Sequence, residues 1–339
     1  WSANTISINA PSDELNPEGI IEWELKPTYL DVALRIQDLM VLRIIKDNNW
    51  KRPIYFGVTV SPTSMLNLED YLTMEGLAYR LINNKLFPIN QEKMSNNLLP
   101  FVGSKDWFKD YDSNKNSIED LSISKEYQPG YIYRNLANKN VHIDRQIGRL
   151  IQNYRTGFTR LAISHYLDDN FQKAEMVLLD MEDKMPSAVI SIPSKDLQYQ
   201  ISQIYNGVGN KERVKYHLKE LTQRDDIDME DYLLYGKSFI QNLDDYEEAK
   251  TIFKTIYDNF LIIERAIEKQ GFTSTKITVQ EWQSWQKTLP ELVFLLYLCH
   301  RELEEYDEAI KLIQDWIVRS PEDTDASQLL DEIDKLKGL

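Results

Sequence analysis

The strongest constraint on what this chain can fold into is a recurrence in its C-terminal half. Ala174, Val214, Ala249 and Ala309 are each followed four positions later by a large apolar residue, and they are spaced by 40, 35 and 60 residues. Aligned on these anchors, the first unit contributes Phe158, Leu161, Ala162, Leu178, Met181 and Pro186. The last contributes Val293, Leu296, Tyr297, Tyr306, Ile313, Trp316 and Pro321. Leu233, Gly236, Tyr246, Phe253 and Ile256 fill the third, and Ile201, Ser202, Tyr205, Gly209, Leu218 and Leu221 make a sparser second. Small residues at two positions let paired helices approach, and the large ones fill the layer between pairs. A turn residue near Asp169, Gly209, Asp244 or Glu304 reverses the chain, and Pro after the second helix stops it.

This pattern resembles the tetratricopeptide repeat, a helix–turn–helix of about 34 residues. The wide gap before the last unit predicts an insertion: an extended second helix over Leu261 to Gly271, then a connector from Ile277 to Leu289 carrying Trp282 and Trp285. Asp325 to Lys337 reads as the capping helix that the end of such an array requires.

The N-terminal part mixes strand and helix signals. Thr5 to Asn9 alternates polar and apolar as a half-buried strand does. Pro11 and Pro17 bound a loop. Thr28 with Asp31 reads as a loose capping signal, after which Val32, Ile36, Leu39, Met40, Ile44 and Ile45 share one helix face. Ile54 to Val60 is rich in β-branched and aromatic residues and reads as a buried strand, with Pro53 at its start. Leu77 to Ile82 is a further short strand. From Phe87 to Tyr127 the text is Asn-, Ser-, Asp- and Lys-rich and predicts a long surface excursion with one helix. The expected fold is therefore α+β: a small N-terminal α/β unit over 1–127, then a tetratricopeptide-like helical solenoid over 128–339.

Lys and Arg number 39 against 54 Asp and Glu, so the chain of 339 residues carries a formal −15. A chain this acidic has no general electrostatic attraction to phosphate backbones or anionic lipid surfaces, which argues against nucleic-acid binding. The longest apolar run, Leu292 to Cys299, is far short of the roughly 20 residues of a spanning helix. A single cysteine, Cys299, excludes an intramolecular disulfide framework and any zinc site with two Cys ligands. The first residue is Trp1, with no Met and no signal-like segment before the first strand, and reads as the cut end of something longer.

No residue pattern nominates a reaction. His142, His165, His217 and His300 lack metal-ligand spacing, and no cofactor is expected. His165 and His300 occupy the same register of their units, which predicts a structural role. No phosphate loop, dinucleotide fingerprint or nucleophile elbow occurs. Asp112 to Asn116 begins like a calcium loop, but Ser117 and Ile123 stand where Gly and a bidentate Glu are needed, so a solvated turn is expected. The acidic pairs Asp168-Asp169, Asp244-Asp245 and Glu304-Glu305 fall at the turns between helices and read as capping.

A repeat array works through the face lined by the first helix of each unit. The positions expected to be exposed there are Thr159, Tyr199, Gln203, Asn206, Ser238, Gln241, Asn242 and Arg301. The set is amide-rich with one aromatic, which suits an extended polypeptide backbone or sugar hydroxyls as well as it suits an empty solvated groove.

Two further stretches stand out: Trp50-Lys51-Arg52-Pro53-Ile54-Tyr55-Phe56 with Glu75-Gly76-Leu77-Ala78-Tyr79-Arg80-Leu81, and Asn153-Tyr154-Arg155 leading into the first repeat. Together they resemble the C-terminal soluble region of bacterial multi-pass membrane proteins similar to the transmembrane protein O-mannosyltransferase family, of GT-C type. The resemblance implies membrane spans upstream, sugar transfer from a lipid-linked donor, and a catalytic acid in the membrane portion, so no catalytic residue is carried over to this chain. Arg52, Pro53, Tyr55, Glu75, Tyr79 and Arg80 form the N-terminal motif, within which Glu75 and Arg80 are expected to pair across a turn. The implied role is a non-catalytic extracytoplasmic (periplasmic) interaction module with protein, peptide or glycan partners. A free-standing repeat adaptor or glycan-binding protein is one alternative. An enzyme with its site near Tyr55, Glu75, Tyr79 and Arg80 is another.

Overall fold

The computed structural model of the chain describes residues 4–30, 32–85, 88–99, 130–272, 275 and 277–338. The chain divides into two compact units, Trp1–Pro193 and Ser194–Leu339. The boundary expected at 127/128 and the calcium-like stretch at Asp112 lie outside the described residues.

The first unit begins with a two-stranded antiparallel ribbon. β1 (Asn4–Asn9) pairs with β2 (Ile20–Leu25), Asn4 opposite Leu25 and Asn9 opposite Ile20. In β2 the alternation is strict, with Ile21, Trp23 and Leu25 inward and Glu22 and Glu24 outward. This strand was legible in the text by the same period-two rule that identified β1. After α1 (Ile36–Asn48) comes a three-stranded antiparallel sheet of β3 (Tyr55–Gly57), β4 (Leu72–Met74) and β5 (Ala78–Leu81), with β5 in the middle. The expected long strand from Ile54 shortens to β3. Beyond Gly57 the chain turns away, and two 3₁₀ turns, Pro62–Met65 and Glu69–Tyr71, carry it to β4. The core gathers Ile21, Trp23, Ile45, Phe56, Leu68, Tyr71, Leu72 and Leu81.

The helix expected after Thr28 starts later and turns a different face inward. Arg35 is its N-cap, and Asp31 lies outside the described residues. Asp38, Val41, Leu42 and Ile45, at i, i+3, i+4 and i+7, face the core. Asp38 is buried because it is satisfied: it accepts the Arg35 backbone N–H (2.8 Å), the Arg35 guanidinium and the Thr28 hydroxyl. Burial alone would raise its pKa, but these donors outweigh that and hold the carboxyl below its ordinary value. The predicted apolar stripe, Ile45 apart, is therefore left in solvent, with Ile36 81% exposed.

α2 (Gln91–Leu98) is the helix expected in the excursion, N-capped by the Asn90 side chain and burying Met94 and Leu98. It packs on α3 (Arg145–Leu167), which pairs with α4 (Phe171–Lys184). Arg155 is buried in this unit without a carboxylate partner. Its guanidinium donates instead to the backbone carbonyls of Met185 (2.7 Å), Ser191 (2.9 Å) and Ile190, clamping the chain after α4 onto α3. Burial pushes its pKa down to about 10. The buried Lys184–Asp180 ion pair of α4 lies beside the Tyr133 ring.

The second unit runs helix after helix: α5 (Lys195–Gly207), α6 (Lys211–Thr222), α7 (Met229–Leu243), α8 (Tyr246–Gln270), α9 (Val279–Glu302), α10 (Tyr306–Arg319) and α11 (Thr324–Lys337). Each packs on the next. The insertion expected between the last two repeats is a lengthening of both helices and not a connector. α8 extends to Gln270, and the stretch from Ile277 becomes the first half of α9, where Trp282 stacks on Phe260 at 4.6 Å. α9 continues through Pro290. Losing one ladder bond is offset by the apolar face on both sides of it, Trp282, Leu289, Leu292 and Val293, all buried.

The turn chemistry repeats in both units. Asp169, Gly209, Asp244 and Glu304 all have positive φ, between 55° and 83°. The next residue caps the second helix, and Ala174, Val214, Ala249 and Ala309 each lie four residues after that cap, fully buried. In all four turns the cap N–H donates back to a first-helix carbonyl: Asn170 to His165, Asn210 to Tyr205, Asp245 to Phe239 and Glu305 to His300, at 2.8 to 3.0 Å. The acids at these turns also meet the preceding pair. Lys215 of α6 reaches Asp245 (2.6 Å), and Lys250 of α8 reaches Glu305 (2.7 Å). His300 contacts Glu305 at 2.6 Å, and His165 is buried.

Two outcomes test this architecture. A Cβ at Gly236 would lie 2.3 Å from the Phe253 ring, so Gly236→Ala should cost about 1–3 kcal/mol by overpacking α7 on α8, read from chemical denaturation. Burial, with the Lys173 charge adding to it, pushes His165 from 6.5 down to about 4. Above the ordinary value neither folded nor unfolded chain holds the proton. As pH falls from 6.5 towards 4 only the unfolded chain takes it up. Stability should therefore drop by up to about 3 kcal/mol across that window, and His165→Leu should remove that part of the slope.

Candidate functional site

The motif residues of the first unit converge on the turn between β4 and β5. α1 ends through two left-handed residues, Asn49 and Trp50. The Trp50 indole donates to the Asn9 carbonyl (2.7 Å), tying this turn to β1. The Asn48 side-chain amide donates to the Arg52 carbonyl (2.6 Å), and Pro53 then delivers the chain to β3. Tyr55 sits directly opposite Arg80, and Phe56 opposite Tyr79.

Glu75 occupies the β4–β5 turn and is buried. Its carboxylate accepts the Tyr55 hydroxyl (2.8 Å) and the Asn90 amide (3.2 Å), and faces Arg80 at 3.5 Å. The pair expected across the turn is thus present, with two further donors on the same carboxylate. Burial first, and the hydrogen bond to the Glu75 carboxylate second, push the Tyr55 phenol above its ordinary value. Arg160 lies over the Tyr79 ring at 5.8 Å. Gly76 follows with φ +90°, and a Cβ there would lie 2.3 Å from the Tyr131 hydroxyl. That hydroxyl accepts the Leu77 N–H (2.9 Å), and the Tyr131 ring meets Tyr154 edge-on at 5.5 Å. The Glu-Gly-Leu turn and the Asn-Tyr-Arg string, far apart in the text, are therefore one packed cluster through Tyr131. Sequence reading missed Tyr131 and Asn90, because neither belongs to a recurring pattern and both act through long-range contacts.

Arg52, Pro53 and Arg80 also line a pocket of about 280 Å³ with Lys51, Asn48 and Trp50. Among the described residues no group of three or more His, Cys, Asp or Glu side chains is placed to hold a metal ion. The Cys299 thiol is buried, and burial pushes it up to about 12, which leaves it protonated and unreactive at neutral pH.

The residues expected on the exposed helix face divide. Thr159 of the first unit is buried, its hydroxyl donating to the Arg155 carbonyl (2.9 Å). In the second unit Ser238 is also buried and meets the Tyr199 hydroxyl at 3.1 Å. Both were read as exposed because their hydroxyls look polar, yet each satisfies itself on a carbonyl one helical turn back. Tyr199, Gln203, Asn206 and Asn242 are partly exposed, and Gln241 fully. Tyr199 and Tyr235 rings lie 5.6 Å apart, bringing α5 beside α7. Arg301 is engaged with Glu302 and Glu332 at the far end of α9. The structure therefore brings Tyr199 and Ser238 together and keeps Arg301 tied elsewhere. The Nε2 of Gln203 is buried with no hydrogen-bond partner.

Residues 4–98 match the family model described as TMEM260-associated domain 2, a family linked to a protein O-mannosyltransferase. The match begins at β1 and ends with α2, and so covers Arg52, Pro53, Tyr55, Glu75, Tyr79 and Arg80. Comparison with curated proteins and with solved structures finds no match.

The Glu75 cluster predicts a measurable cost. Tyr55→Phe removes one donor from a buried carboxylate and should destabilise the chain by about 1 kcal/mol, the hydroxyl being partly solvated. Gly76→Ala should cost more, about 1–3 kcal/mol, from the positive φ and the Tyr131 contact. Equal melting of both variants and the wild type would show that the cluster is not structural.

Proposed function

We propose that this chain is a non-catalytic extracytoplasmic module of a bacterial membrane glycosyltransferase-like protein, whose helical pairs are tetratricopeptide-like and recruit or present a polypeptide. The observation that carries the reading is the joining of two features in one chain. A domain of the TMEM260-associated type spans 4–98, and helical pairs with a repeated left-handed turn follow it. Two further features favour recruitment over chemistry. The buried Glu75 carboxylate is held by three donors from β3, β5 and the start of α2, which ties it to the frame of the unit. The amide-bearing side chains Asn206, Gln241 and Asn242, with Tyr199, offer donors and acceptors of the kind that an extended peptide backbone takes.

The test uses peptides selected by the 339-residue chain from a random-sequence display library and titrated by fluorescence anisotropy. Tyr199→Ala with Gln241→Ala should weaken the selected peptide by about tenfold or more, the loss expected of an aromatic anchor with a polar contact, with unchanged helicity. Unaltered affinity would move the site elsewhere. Incubated with a lipid-linked sugar donor and a polypeptide acceptor, the chain alone should transfer no sugar. Turnover would overturn the non-catalytic reading.

A further inference from the structure

The outward face of α1 is the feature that nothing above explains. Leu30, Val32, Ile36, Leu39, Met40 and Ile44 are all more than half exposed, within one stretch of fifteen residues. Other exposed apolar side chains are dispersed along the chain, as is ordinary. Within α1, residues 36, 39, 40 and 44 lie on one side, opposite the Asp38–Ile45 face that packs on the core. A continuous apolar ridge of this kind marks a surface that is covered in use.

We propose that this ridge docks on an anionic lipid membrane. Two observations choose the occupant. The first is charge. The chain as a whole carries −15, which gives it no general attraction to an anionic surface. Around the ridge the sign reverses. From Leu30, where the ridge starts, to Arg52 lie five cations (Arg35, Arg43, Lys46, Lys51 and Arg52) and three acids (Asp31, Asp38 and Asp47), so this stretch carries +2. Arg35 is held by Asp38, and Arg43 by Asp47 at 2.5 Å. Lys46, Lys51 and Arg52 make no ion pair among the described residues and are exposed. Apolar side chains that enter the acyl boundary, flanked by cations at headgroup level, are the pattern by which a helix lies on a membrane.

The second observation is shape. Leu30 is 75% exposed and Ile36 81%, so both side chains stand out from their surroundings and are not walled in. A projecting ridge suits insertion into a deformable interface, whereas a peptide-binding surface walls its apolar groups into a groove. This inference rests on α1 alone and stands or falls separately from the partner-recruiting reading.

Co-sedimentation of the 339-residue chain with vesicles tests it. The wild type should sediment with phosphatidylcholine vesicles containing phosphatidylglycerol, less with pure phosphatidylcholine, and less at high salt. Ile36→Asp with Met40→Asp should abolish binding to both kinds of vesicle. Lys46→Glu with Lys51→Glu should remove the phosphatidylglycerol preference, weakening binding by about tenfold or more. All four positions are exposed, so both variants should melt with the wild type. A wild type that stays in the supernatant, or variants that sediment unchanged, would overturn the proposal. So would a wild-type dimer in sedimentation velocity that ignores vesicles and that Ile36→Asp with Met40→Asp dissolves, since the ridge would then belong to a second copy.

Discussion

Each helical pair depends on one left-handed residue. At Asp169, Gly209, Asp244 and Glu304 the backbone reverses through positive φ. Three of the four are not glycine, so each reversal costs backbone strain on the order of a kilocalorie per mole. That cost is offset locally. The cap that follows returns its N–H to the first helix, and at Asp245 and Glu305 its side chain also meets a lysine from the preceding pair. With the reversal set, the residue four positions after the cap lies at the closest approach of the two helices. Only Ala or Val stands there. Turn, cap and small anchor are thus one device, and the register of the large apolar residues follows from it.

In the first unit polar groups do comparable work. Arg155 spends its guanidinium on carbonyls of the chain after α4, which no apolar side chain could tie down. Glu75 collects donors from β3, β5 and the start of α2, and Gly76 lets Tyr131 close over the turn. Such satisfied buried groups specify one arrangement, since any slip leaves a desolvated charge without a partner. This is why residues that read as a site in the text serve the geometry of the unit. The surfaces proposed for recognition are the amide-bearing face of α5 and α7 and the ridge of α1.

Much of the helical part of both units was legible because its signals are local and periodic. The four turn residues, the four anchors and the capping helix all follow from spacing alone. The stretch from Ile277 to Leu289 was the misleading one: it read as a connector, but Trp282 on Phe260 and the buried leucines that follow hold it in α9, through Pro290. β2 went unread although its alternation is as clean as that of β1. Tyr131 and Asn90 could not be found, since contacts across tens of residues leave no periodic trace.

The sequence by itself determined the class: a short strand-bearing unit, helices in antiparallel pairs, the left-handed turns between them, and an acidic chain without a spanning apolar segment. Each of these depends on neighbours within a few residues, through φ/ψ preference, capping and period. The tertiary structure alone decided which face of α1 is buried. Two faces competed, and the more apolar one lost. The Thr28, Arg35 and Asp38 side chains satisfy one another only when Asp38 points inward, and that rotation places Val41, Leu42 and Ile45 on the core while leaving Ile36, Leu39, Met40 and Ile44 outside. Which stripe of a helix is covered depends on what stands opposite it, and that information lies in the fold.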